Sequence, residues 1–197
     1  MNIVNVGYDS TNYYVVATDR AKLLIDVGWP GTLPKLRHQL SVKGMRLQEL
    51  THLLVTHYHP DHAGLAQELR EAGIQLLVIE EQREAILHLR KYMKPSHPFR
   101  DIALHDARVI STEHSRDLLN GLGIAGEIVH TPGHSDDSIS LVLDTGVAFT
   151  GDLLGPTMVA DEARPTAAQS WERLRARNVR QIYPGHGPVR PLEPDAG

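Results

Sequence analysis

The sequence predicts an α/β protein, a sandwich of two mixed β-sheets with helices on the outside. Three observations lead there. Short apolar runs, of strand rather than helix length, recur along the whole chain. Segments with helical spacing of apolar residues separate them, and strands followed by helices occur twice over, in two halves of similar pattern. At 197 residues with 41% hydrophobic content, the chain has the size and composition of one globular domain, expected to span residues 1–197.

The elements follow in order. Residues 13–17 and 22–27 read as paired strands joined at Thr18-Asp19-Arg20. Leu33, Leu36 and Leu40 mark a helix. Leu53-Leu54-Val55-Thr56 is a buried strand, and residues 63–70 a helix with Leu65 and Leu69 on one face. Residues 75–79 form another buried strand, and residues 81–92 a helix with Ile86, Leu89 and Met93 on one side. Residues 94–106 hold Pro95 and Pro98 and show no clean period, which reads as a loop or partial lid. Arg108-Val109-Ile110, a short helix around Leu118-Leu119, and strands through residues 127–129 and 140–143 come next, with a hairpin turn at Asp144-Thr145-Gly146. A last helix carries Ala167, Trp171 and Leu174 as core anchors, and a strand over residues 179–183 ends the set.

The chemistry is concentrated just after these strands. His57-Tyr58-His59-Pro60-Asp61-His62 places four imidazole or carboxylate groups within six residues. Those groups suit zinc, iron and manganese. Packed together without a metal, they would repel or need buried partners. His57 and His59, two apart in extended chain, project the same way. Pro60 suits the first turn of a helix, so Asp61 and His62 sit at a helix entry and point to a different spot. One loop thus serves two metals. Three further candidates share a layout, a short apolar strand and then a glycine turn: His134 in Thr131-Pro132-Gly133-His134, Asp152 in Thr150-Gly151-Asp152, and His186 in Pro184-Gly185-His186-Gly187-Pro188. Tyr58 either faces the pocket or packs in the core. His38, His52, His88, His97, His105, His114 and His130 read as structural or surface groups.

Together with Leu24-Ile25-Asp26-Val27-Gly28, these segments resemble the metallo-β-lactamase fold superfamily of metallohydrolases, over nearly the whole chain. The resemblance implies an αββα sandwich with metals at one edge between the sheets. It implies a first metal held by His57, His59 and His134, a second held by Asp61, His62 and His186, and Asp152 bridging the pair. Asp26 matches a residue that supports the ligands from behind and fixes imidazole orientation. The implied cofactors are two divalent ions, zinc by preference and iron or manganese as alternatives. Such a pair would lower the pKa of water from ~15.7 toward ~7 and deliver hydroxide to a polarised carbonyl. Asp61 is the catalytic candidate for orienting that nucleophile or shuttling a proton.

Asp152 and Gly185-His186-Gly187 look most like the glyoxalase II-like (hydroxyacylglutathione hydrolase-like) branch, without its C-terminal helical domain. The metal-binding cysteine of class B1 β-lactamases has no counterpart. The tyrosine that acyl-homoserine lactonases carry three residues after the bridging aspartate is Gly155 here. The expected function is therefore a binuclear hydrolase of a carbonyl ester-type bond, thioester first, then lactone or lactam. The alternatives are a mononuclear iron persulfide dioxygenase at His57, His134 and Asp152, and a phosphodiesterase or nuclease of the same fold.

Composition narrows the partners. A formal net charge of −4 without a basic stretch argues against nucleic acid and for a small-molecule substrate. The absence of cysteine excludes disulfides and thiol catalysis. No apolar run approaches the roughly 20 residues of a membrane helix, and the opening residues lack the pattern of a secretory signal. The expectation is a cytoplasmic protein that does not engage membranes, its oligomeric state left open.

Overall fold

The structure, a computed structural model, describes residues 1–105 and 107–192. Asp106, the end of the segment read as a loop or lid, and residues 193–197 lie outside the described residues. The chain opens with β1 (Asn2–Asn5), β2 (Tyr14–Ala17) and β3 (Lys22–Ile25), an antiparallel series. Then α1 (Leu33–Val42) leads to β4 (His52–Leu54), α2 (Pro60–Ala63) and α3 (Ala66–Glu71) to β5 (Gln75–Ile79), and α4 (Arg83–His88) to β6 (Arg108–Ile110). From β3 to β6 the neighbours are parallel, as helical crossovers require. The second half is α5 (Ser115–Gly121), β7 (Gly126–His130), β8 (Ile139–Leu143), β9 (Val147–Gly151), α6 (Arg164–Arg175), β10 (Gln181–Pro184) and β11 (Arg190–Pro191). Among the described residues one sheet has six strands in the order β1 to β6, and the other five in the order β11-β10-β9-β8-β7. Both are mixed, since β9 and β10 pair in parallel within an otherwise antiparallel sheet.

Side-chain alternation along the strands builds the layers. Tyr14, Val16, Leu23, Ile25, Leu54, Leu77 and Ile79 point between the sheets, where they meet Ile128, Ile139, Leu141, Leu143 and Phe149. The intervening Val15, Leu24, Leu53, Leu76 and Val78 face outward, against Leu36 and Leu40 of α1, Leu69 of α3 and Ile86 of α4. On the far side Val142, Ala148 and Ile182 pack against Trp171 and Leu174 of α6. Each central strand is covered on both faces, so its sequence is a continuous apolar run. The layers are α, β, β, α.

Local departures from the sequence expectations have local causes. β1, short and half-polar, went unanticipated; it is a sheet-edge strand paired only with β2. The helix expected over residues 63–70 begins earlier, at Pro60, and breaks at Gly64-Leu65. A Cβ on Gly64 would lie 2.5 Å from Pro30 Cδ and 2.6 Å from the Gly28 carbonyl oxygen, so the loop after β3 presses directly on this backbone. The helix expected over residues 81–92 is α4 flanked by 3₁₀ turns. β4 stops at Leu54 rather than Thr56: the Thr56 amide donates to Asp26 Oδ1 at 2.6 Å, and its carbonyl accepts from Ile139 of the other sheet at 2.8 Å. That crossing joins the sheets at one edge, beyond the C-terminal ends of β4, β7, β9 and β10. Among the described residues no helix is long and apolar enough to cross a membrane.

Candidate metal centre

Asp26 is the first residue beyond β3 and adopts φ +61°, the left-handed region that a non-glycine residue occupies only when its surroundings hold it there. Its amide donates to the Leu54 carbonyl at 3.0 Å, and its carboxylate is buried. Asp26 Oδ2 accepts the Thr56 hydroxyl at 2.8 Å and lies 3.0 Å from His62 Nδ1. Because the Thr56 hydroxyl donates to Asp26, it is left to accept from His57 Nδ1, 3.2 Å away. One carboxylate thereby fixes the Nδ1 side of two histidines, and each turns its Nε2 the other way.

The freed atoms face a common space. His57 Nε2, His62 Nε2 and Asp152 Oδ1 are buried without a hydrogen-bond partner. His62 Nε2 and Asp152 Oδ1 are 3.3 Å apart without forming a hydrogen bond. His134 Nε2 and His59 Nδ1 face each other at 3.0 Å, and the ring centroids of His57 and His134 are 4.8 Å apart. On the other side His186 Nε2 lies 3.3 Å from Asp61 Oδ2 and 3.4 Å from Asp152 Oδ2. The Ser10 carbonyl oxygen, 2.7 Å from His186 Nδ1, fixes that ring, and the Thr11 hydroxyl donates to Asp61 Oδ2 at 3.3 Å. The structure thus brings all seven residues singled out in the sequence into one cluster. Three groups among them have the spacing to hold a metal ion: His57, His59 and His134; Asp61, His62 and His186; and His57, His62 and Asp152. The two spots expected from the His57–His62 loop adjoin, with the His57 and His62 rings only 4.2 Å apart.

Glycines make this approach possible. Gly151 has φ +52°, and a Cβ there would meet Thr56 Oγ1 at 2.4 Å; one on Gly185 would meet Asp152 Oδ1 at 2.5 Å. The Gly151 position also meets Thr56 Cβ at 2.8 Å, and the Gly185 position meets His62 Cε1 at 2.6 Å and the Gly151 carbonyl carbon at 3.1 Å, so the turns before Asp152 and His186 favour glycine.

Electrostatics follow from burial. Desolvation, then the neighbouring imidazoles, push His57 well below the ordinary imidazole value. Burial also lowers His134, more than the Asp152 charge raises it. For His62 burial acts downward, but Asp26 and Asp152 outweigh it and lift the pKa to about 10. Asp152 is the reciprocal case: burial acts upward, and the adjacent His62 with the surrounding imidazoles brings it below the ordinary carboxylate value. The protein alone thus stores a proton at the place where a cation would replace it.

Tyr58, between two candidate ligands, is buried in the core beneath the outer helices. Its amide donates at 2.7 Å to the buried Asp137, which sequence reasoning missed. The buried Gln82 was missed too; its side-chain amide donates to the Val55 and Thr56 carbonyls and to that of Asp137. Asp137 sits three residues after His134, a proximity that was the available signal; Gln82 has none in the sequence. Tyr92, from the turn after α4, places its ring 5.2 Å from that of His59. Of the other histidines, His97 packs on Trp29 and His88 lines a cavity beside His59.

Residues 6–186 match the family model described as Metallo-beta-lactamase superfamily. A lactamase-like protein of Pestalotiopsis microspora is 32% identical over 182 residues, covering 90% of this chain and 49% of that protein. The atrochrysone carboxyl ACP thioesterase of Cryptosporiopsis sp. (strain 8999) is 29% identical, covering 91% of this chain and 49% of its own length. The chain spans about half the length of these curated relatives. The crystal structure of a metallo-beta-lactamase family protein from Thermus thermophilus superposes with a TM-score of 0.65 at 20% identity, over 95% of this chain and 73% of that one, a likeness of fold.

Proposed function

Because the chain belongs to the metallo-β-lactamase superfamily, whose fold implies divalent metal binding, we propose that it is a binuclear metal-dependent hydrolase of carbonyl ester-type bonds, thioesters first, lactones and lactams after them. The observation that carries this reading is the trio of buried, unpartnered atoms: His57 Nε2, His62 Nε2 and Asp152 Oδ1. Leaving such a group unsatisfied costs roughly 1–3 kcal/mol, and three of them from two separate segments converge on one space. They fit cations. His57, His59 and His134 would hold one ion and Asp61, His62 and His186 another, with Asp152 within reach of both. Zinc suits this mixture of imidazole and carboxylate, with iron or manganese as alternatives. When bound, such ions lower the pKa of water and polarise a substrate carbonyl.

The chain's own residues do the rest. Asp26 keeps the imidazoles of His62 and, through Thr56, His57 turned toward the pocket. Asp61, steadied by Thr11, is the carboxylate positioned to hold a proton during turnover. Leu153, Leu154 and Met158 line a cavity of about 380 Å³ beside Asp152, an apolar wall that suits an acyl chain. The acidic groups near His59 disfavour a polyanion. The ACP thioesterase name of a relative supports the same choice.

The test is a panel of thioesters, lactones, lactams and phosphodiesters on metal-loaded protein, with metal content measured on the same sample. Two ions per chain and turnover falling in that order are expected. Faster turnover of a phosphodiester or a tRNA precursor than of any thioester or lactone would overturn the substrate ranking.

A further inference from the structure

Two cavities of opposite character flank the site and share His134 as a wall. The apolar one, beside Asp152 and His186, also has Arg190 in its lining. The other, about 580 Å³ and beside His59, is lined by Glu80, Glu81, Glu84, Asp136 and Asp137. We propose that Arg190 is a specificity-determining residue that selects substrates whose half in the apolar cavity ends in an oxyanion, a carboxylate or a phosphate. The proposal rests on the hydrolase reading above.

Arg190 is held for this task. Its guanidinium carbon lies 5.5 Å from the centroid of the Trp171 ring. Trp171 is buried, and its indole N–H donates at 2.9 Å to the carbonyl of Leu154, itself part of the cavity lining. One ring therefore fixes both the cation and the apolar wall. A guanidinium lying over an aromatic face keeps its N–H edge available for a planar, bidentate acceptor. Other arginines spend that edge within the fold: Arg116 on Asp144 and Glu127, Arg90 on Asp101. No carboxylate among the described residues pairs with Arg190. The acidic cavity completes the selection by repelling an anion, so a charged substrate has one favourable orientation across the site.

The test uses the metal-loaded full chain and two pairs of thioesters. One pair has a carboxylate or its amide at the acyl end; the other has a phosphate or the free alcohol at the thiol end. The wild-type protein is expected to favour the charged member of one pair, which identifies the half that meets Arg190. In Arg190→Ala the charged-over-neutral ratio of kcat/KM should fall about tenfold, the low end for losing a hydrogen bond to a charged group, with the change in KM. Arg190→Lys should retain part of the ratio and Arg190→Glu invert it. A wild-type ratio near one in both pairs, or a ratio unmoved in Arg190→Ala, overturns the proposal. Calorimetric binding of the matching thioethers separates the two readings. Arg190-dependent preference for the charged thioether without any thioester turnover would leave Arg190 standing and remove the hydrolase reading. Thioester turnover without that preference would remove the role of Arg190 alone, and absence of both would remove both.

Discussion

The floor and the rim of the pocket are built differently. On the floor, His57 and His62 are buried, and their outer nitrogens run through Thr56 or directly to Asp26. On the rim, His134 and His186 keep 24% and 40% of their side-chain surface exposed. His186 leans on one backbone carbonyl, and His134 faces His59. The floor contributes one histidine to each candidate ion, so a single anchoring carboxylate governs both. The rim closes each group from a separate loop. The buried end of the cluster is thus the more tightly anchored, and the exposed end the less.

Asp152 joins the two regions, and its loss should produce the largest effect. Its carboxylate lies 3.3 Å from His62 on the floor and 3.4 Å from His186 on the rim. Changes to residues behind metal ligands commonly cost about 10–100-fold, so Asp152→Ala should lose at least roughly 100-fold in turnover. Its metal content should fall with it. Near wild-type turnover with bound metal unchanged would show that Asp152 links nothing.

Asp26→Asn attacks the floor alone. The carboxylate uses one oxygen for the Thr56 amide and the other for the Thr56 hydroxyl and His62; in the amide one of these positions becomes an NH2 facing donors, so the anchoring of both buried imidazoles is disturbed. Metal affinity, measured by competition with a chelator, should fall about 10–100-fold at both ions together. Loss confined to one ion would mean that Thr56 does not carry the influence of Asp26 to His57.

The floor also predicts how metal-free protein responds to pH. His62 rises from the ordinary 6.5 to about 10 in the fold, so its protonated form is the stabilised one. Its contribution is complete below about 6.5, the unfolded value. It declines as pH rises and is gone above about 10. His57 is shifted downward, so its penalty belongs to the acid side and leaves this window clear. Thermal melts of metal-free protein should therefore show a falling midpoint from pH 6.5 to 10, flattened in Asp26→Asn. Metal-loaded protein, with a cation in place of the proton, should lack the slope. A metal-free midpoint that rises across this window would contradict the protonated His62–Asp26 pair.

The floor was also the more legible region in the sequence. His57, His59, Asp61 and His62 stand in one six-residue segment, and the continuous apolar run Leu53-Leu54-Val55 just before it marks the strand it follows. The layered fold was legible for the same reason: strands covered on both faces become continuous apolar runs. Rim residues that lack a motif were not legible. Tyr92 and Arg190 reach the pocket through tertiary packing alone, Arg190 by way of a tryptophan on a helix. The break at Gly64 was hidden similarly, because its cause is the Gly28 carbonyl and the Pro30 ring, both distant in sequence.

Tyr92 provides the gentlest way to sharpen the contrast. Its ring meets that of His59 edge-on at 5.2 Å, while 56% of the residue remains exposed. An aromatic contact of this kind is worth ~0.5–1.5 kcal/mol, so Tyr92→Ala should change kcat/KM by about two- to tenfold. His59 faces His134 whether or not Tyr92 covers it, so metal content should hold and the change should sit in KM. Steady-state kinetics with metal analysis of the same preparation decides the matter. A loss of metal or of kcat approaching that of Asp152→Ala would place Tyr92 among the groups that set the metal geometry, and the division between floor and rim would have to be redrawn around His59.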